Sequence, residues 1–218
     1  MSTPSPSFST LHSRALTAAR RRSPLLPPSH STDSALTAAI ASAQLHPTLE
    51  ASLHVLNCDL PSAHFLVRHM QSAPAHEGML LHGILHRIEG DFDNARAWYA
   101  DVEGSAVFAA VWGGDGRATA DEGGEAPGRD GGGKKAPRSA AAKGFIDAVE
   151  RLKKDGVGEL EALERESLRE IEEVVRFCVG KFGDGRWEDA SDAWVRPSQE
   201  IKSVGADMVS GDKGMRSF

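Results

Sequence analysis

The chain is poor in the features that mark secreted, membrane-spanning or nucleic-acid-binding proteins. Cys58 and Cys178 are its only cysteines in 218 residues, too few for a disulfide framework, and they form no Cys-x-x-Cys pair. No run approaches the roughly 18 apolar residues that a membrane span requires. Positive charge is also short: 25 Lys and Arg stand against 31 Asp and Glu, for a net charge of −6. A phosphate backbone would meet no long-range attraction, so nucleic acid is not an expected partner. Acidic residues in turn are missing from Met1 to Thr32, where Arg14, Arg20, Arg21 and Arg22 sit among serines and prolines. That composition suits a mitochondrial presequence, but its apolar side (Leu11, Ala15, Leu16, Ala18) is weak. Residues 1–31 therefore read as a disordered tail, with a targeting segment as the alternative. The cysteine usage points to the cytoplasm, and the acid-free N-terminus keeps mitochondria as the other choice.

Apolar periodicity from there on is helical, and the expected fold class is all-α. Thr32 or Asp33 can cap a helix through Leu36, Ile40 and Ala43. Pro47 restarts the chain, Leu49, Leu53 and Leu56 share a face, and Cys58-Asp59-Leu60-Pro61 breaks the helix. Ala63, Leu66, Val67 and Met70 mark the next helix, which stops before Pro74. Met79, Ile84 and Ile88 mark another, ended by Gly90, and Asp91 can cap a following one that holds Ala95, Trp98 and Tyr99. Residues 32–112 form this hairpin region. Residues 113–139 are glycine-rich and lack large apolar side chains, so they cannot bury enough surface to offset chain entropy and read as a flexible linker. Helices resume over 140–196. Phe145, Ile146, Val149 and Leu152 mark a short helix, and Leu160, Leu163, Ile171, Val174, Val175 and Cys178 form the stripe of a long one. Exposed pairs such as Glu161 with Arg165 and Glu172 with Arg176 add only about 0.2–0.5 kcal/mol each, so the stripe must dock this helix. Residues 197–218 read as a disordered tail.

The chain also echoes itself. Leu53-His54 with Asp59-Leu60 and Ala63 aligns with Leu85-His86, Asp91-Phe92 and Ala95 at an offset of 85 − 53 = 32 residues. The second copy places Gly83 seven residues before the Gly90-Asp91-Phe92 turn, followed by Ala95 and Tyr99. In period and in these positions the segment resembles the tetratricopeptide repeat family. The resemblance covers about a third of the chain and is degenerate, with Met79 and His82 at the family's tryptophan and leucine positions and Cys58 at the first glycine turn. It implies helical hairpins in which Gly83 and Ala95 permit close helix approach while Tyr99 fills a groove, closed by the long C-terminal helix. Gly185 to Ala190 repeats the turn a third time without the surrounding spacing. Asp59 to Met70 resembles, more weakly, helical repeats of small signalosome subunits. The stretch His82 to Tyr99 resembles an uncharacterised family of fungal and bacterial proteins, which brings no activity with it.

Stacked hairpins imply a non-catalytic interaction module, an adaptor or complex subunit that binds a protein or peptide and needs no cofactor. Its expected partner contacts are His82, Arg87 and Glu89 on the first helix of the second hairpin. The alternative is a metal-binding protein or metal-dependent enzyme. His82 and His86 are four apart and project from one helix face, where they could share a divalent transition metal, with Glu89 or His54 as further ligands. His64 or His69 could join only if the hairpins stack. Gly83 stands where a zinc peptidase carries its glutamate, which excludes that reaction class. The plainer reading is of histidines packed partly buried and hydrogen-bonded to neighbours. Cys178 lies in an apolar stripe, where a thiol stays protonated. Gly131-Gly132-Gly133-Lys134-Lys135 lacks both a preceding strand and a hydroxyl after the lysine, so it is no phosphate loop.

Overall fold

The computed structural model describes residues 6–113 and 138–195. Among them the chain is all-helical: α1 (Phe8–Arg21), α2 (Ser34–Ala43), α3 (Pro47–Leu56), α4 (Leu60–Val67), α5 (His76–Glu89), α6 (Phe92–Val102), α7 (Ala106–Trp112), α8 (Arg138–Asp155) and α9 (Leu160–Phe182), then a 3-10 turn at Ala190–Ala193. No helix among the described residues is long and apolar enough to cross a membrane. Most of the glycine-rich linker (114–137) and the tail from 197 lie outside the described residues.

The reading of residues 1–31 as a disordered tail is corrected from Phe8 onward. Ser7 caps α1 by accepting from the Thr10 amide, and Leu11, Ala15, Ala18 and Ala19 are buried. Spacings of four, three and one form a true helical stripe. The stripe looked weak because it is mostly alanine. Small side chains contribute little transfer free energy each, yet they let α1 lie close on α2 and α3.

The expected helix starts from α2 to α6 are present. Pro47 opens α3, where its missing N–H costs nothing, and Asp33, Asp59 and Asp91 cap α2, α4 and α6 through their carboxylates. The two echoing segments make the same turn. Asp59 N–H bonds the His54 carbonyl at 2.8 Å, and Asp91 N–H bonds the His86 carbonyl at 2.9 Å. The residue before each aspartate is left-handed, Gly90 at φ 87° and Cys58 at φ 57°. A Cβ on Gly83 would stand 2.8 Å from the Tyr99 ring and 3.0 Å from Trp98 Cβ, so glycine there sets the approach of α5 and α6. The third echo makes no hairpin: after α9, Trp187 packs on His46 and Phe182, and its amide donates to the Gln44 carbonyl.

Nine of the ten residues of α3 are buried, because α1, α2, α4, α5 and α9 all pack on it. The long helix α9 lies across α3, α5 and α7 and runs antiparallel to α5. Lys181 meets Glu77 at one end (2.7 Å), and Glu170 meets Arg87 at the other (3.0 Å). α8 closes the far side against α6, α7 and α9. The groove expected along the first helices of the hairpins is therefore filled by the chain's own α9. Of the two ionic pairs expected on this helix, Glu161 stands 3.8 Å from Arg165, whereas Arg176 turns to Glu173 instead of Glu172.

Candidate functional site

Helix α5 directs its polar side chains to different neighbours. Arg87 points into the α9 interface and is fully buried. Its Nη2 donates to Glu170 Oε2 and to Ser167 Oγ, each at 3.0 Å, and its guanidinium stacks 4.8 Å from the Phe145 ring centroid. Tyr99 donates its phenol proton to Glu170 Oε1 at 2.6 Å, and Ser167 donates to the Pro24 carbonyl at 2.8 Å. Burial pushes the Glu170 carboxyl up, opposed by the Arg87 charge, and pushes the Tyr99 phenol well above its ordinary value. Arg87 is thus corrected from a partner contact to an internal tie between α5, α6 and α9. The sequence held a signal for it, since Glu170 occupies an apolar slot of the α9 stripe and has to find an opposite charge.

His82 and His86 face α4 and α6. His82 is buried, stacked on Trp98 with centroids 4.6 Å apart and on His86 at 4.9 Å. His64 comes in from α4, its centroid 5.3 Å from His82 and 5.7 Å from His86. His64 Nε2 is 2.9 Å from Glu89 Oε1, an ion-pair and hydrogen-bond contact that leaves Nδ1 inside. His86 Nδ1 stands 3.4 Å from Asp91 Oδ2, a charge contact too long and too poorly aligned to count as a hydrogen bond. The Nδ1 atoms of all three rings are buried; those of His64 and His82 have no hydrogen-bond partner among the described residues, and that of His86 has the Asp91 contact alone. Desolvation, then the neighbouring His86, His64 and Arg68, pushes His82 down to about 3. As placed, no three His, Cys, Asp or Glu side chains among the described residues present donors to a metal ion.

No protein-family model matches the chain. No curated protein or solved structure is significantly similar to it either. The reading of its sites therefore rests on its own geometry.

His54 does not join this cluster. Its Nδ1 pairs with Asp59 Oδ2 at 3.1 Å, and Thr37 of α2 donates to the same oxygen at 2.8 Å, so the histidine of the first echoing segment is tied to its own turn. Asp59 also lies beside an open cleft of about 970 Å³ between the α1–α2 connection and the start of α4, along with His30, His64, Phe65, Arg68 and Glu89. A second hollow shares Pro61, Ser62 and Phe65 and holds Glu50, whose carboxyl burial pushes up to about 7. Phe65 stands between the two, 65% exposed. Of the three expected partner contacts, Glu89 alone reaches this open surface, while His82 and Arg87 are inside. Cys178 and Cys58 are buried, and burial raises both thiols.

Proposed function

We propose that the chain is a non-catalytic helical interaction module, an adaptor or complex subunit, that receives a protein or peptide segment in the cleft around Phe65. The observation that carries this reading is Phe65 itself: a large aromatic ring, 65% exposed, between two adjoining hollows that share Pro61 and Ser62. Aromatic side chains are the usual anchors of such surfaces, and Arg68 and Glu89 supply opposite charges at the edge to fix orientation. The tetratricopeptide-like reading would put a partner along α3 and α5 instead. That face is covered by α9, which supports moving the contact to α4 and the α1–α2 connection. The acidic charge balance favours a protein over nucleic acid.

The test is a photoreactive phenylalanine at position 65 in cells of the source organism, with the same group at Val157, also 65% exposed, as the control. A discrete adduct at 65, absent at 157 and lost in Arg68→Glu, is the expected result. Equal labelling at both positions, or none at 65, removes the reading.

A further inference from the structure

We propose that His64, His82 and His86 form a binding site for one divalent transition metal of the zinc class, bound through three imidazole nitrogens with the fourth position open to the cleft. This inference does not rest on the interaction reading.

Ring placement is the first argument. With metal–nitrogen bonds of 2.0–2.1 Å, the ring centroids of imidazoles on one tetrahedral ion lie about 3.2 Å from it and therefore about 5.2 Å from one another. The centroids of His82, His86 and His64 are separated by 4.9, 5.3 and 5.7 Å. What keeps the nitrogens from converging is ring spin, since His82 and His86 lie stacked at 15°. Rotation about the Cβ–Cγ bond turns an imidazole nearly in place, so the nitrogens can be aimed at a shared point while the centroids hardly move.

Unmet bonding capacity is the second argument. The buried Nδ1 atoms of His64 and His82 have no partner, that of His86 has only the Asp91 carboxylate at 3.4 Å, and a buried polar atom left unpaired ordinarily costs enough to demand a partner. A proton on His64 Nε2, donated to Glu89, leaves Nδ1 as a bare lone pair. A carboxylate on the far nitrogen of a histidine is the arrangement that orients imidazole ligands in metal sites. Arg68 opposes a cation here, while Glu89 and Asp91 offset it. Imidazole donors without thiolate select zinc, copper or nickel over magnesium and calcium. His64 and Glu89 line the open cleft, which provides an entry path.

The experiment uses the full chain, free of any tag and stripped with chelator, titrated with zinc chloride by calorimetry. One zinc per chain at micromolar or tighter affinity is expected. His64→Gln and His86→Gln should each weaken binding about 100-fold or more, and Glu89→Gln about 10-fold, the range seen when outer-shell partners are lost. His69→Gln, outside the cluster, should bind like the parent. Because a cluster variant could misfold, imidazole nitrogen resonances of the unmutated chain serve as the second measurement. Zinc should shift those of His64, His82 and His86 and leave those of His12 and His46 in place. Failure to bind zinc, binding that survives both glutamine substitutions, or unmoved resonances at the three histidines would each overturn the site.

Discussion

Two polar clusters flank α5, and they differ in how far their bonding capacity is met. Around Arg87, opposite charge arrives from α9 and a phenol and a hydroxyl complete much of the shell, leaving the guanidinium's Nε and Nη1 without hydrogen bonds but stacked on an aromatic ring. Around His82, the His64 ring meets the stacked His82 and His86 rings edge to face, and the buried Nδ1 atoms of His64 and His82 have no hydrogen-bond partner. Burial is common to both, so burial alone does not mark a site. A charge-matched network holds helices together, whereas a cluster of unpaired nitrogens is where a ligand is proposed.

The largest effect should come from breaking the first cluster. Glu170→Ala leaves the Arg87 charge buried without its partner and should cost about 3–5 kcal/mol in urea unfolding. Arg87→Met with Glu170→Leu should recover most of that loss, because the uncompensated charge is gone. A double variant as weak as the single one would mean that the network positions α9 by geometry rather than by charge balance. Gly83→Leu comes next, at about 1–3 kcal/mol or more, since the added side chain meets Tyr99 and Trp98. A thermal melt unmoved by it would contradict the α5–α6 packing.

The second cluster should show itself in the pH dependence. His82 and His46 are held at about 3 and about 4 in the folded chain, below the ordinary histidine value, chiefly by desolvation. The unfolded chain then binds more protons between about 6.5 and 3, so stability is greatest above that window and falls as the solution is acidified through it. Glu50, raised to about 7, acts in the opposite sense, losing its contribution as pH rises from about 4.5 to 7. Urea midpoints measured from pH 7.5 to 4.5 should fall with acid, and His82→Gln should flatten the slope relative to the parent. An unchanged slope would place the acid sensitivity outside the cluster.

The smallest expected effect lies in the hairpin turns. Cys58 bears the left-handed backbone that Gly90 adopts without a Cβ penalty. Cys58→Gly should therefore stabilise by about 0.5 kcal/mol, the relief of strain slightly exceeding the added chain entropy and the lost contact of the thiol with the Arg22 carbonyl. A net loss in the melt would mean that this contact outweighs the strain.

The regular parts of the fold could be read directly. Asp33, Pro47, Asp59, Gly90 and Asp91 sit where helices begin or end, and local hydrogen bonding alone places them there. α7 was not recognised, because seven residues give too little periodicity to stand out. α1 was misjudged because its stripe is alanine. In the candidate site, the His82–His86 pair was legible from a spacing of four. The choice of His64 over His54 as its neighbour was not, since both precede the second hairpin and only the packing of α4 on α5 separates them.

By itself the sequence determined the helices from α2 to α6, α8 and α9, their caps and the echoed turn, because those follow from interactions within a few residues along the chain. Tertiary structure decided which face of each helix is closed. Arg87 looked like a groove residue until α9 covered it, and His64 looked incidental until α4 brought it to α5. The physical reason is range: a cap or an apolar stripe is set by neighbours one turn away. A buried charge finds its partner, or fails to, across separations such as the 83 residues between Arg87 and Glu170, which only folding brings together.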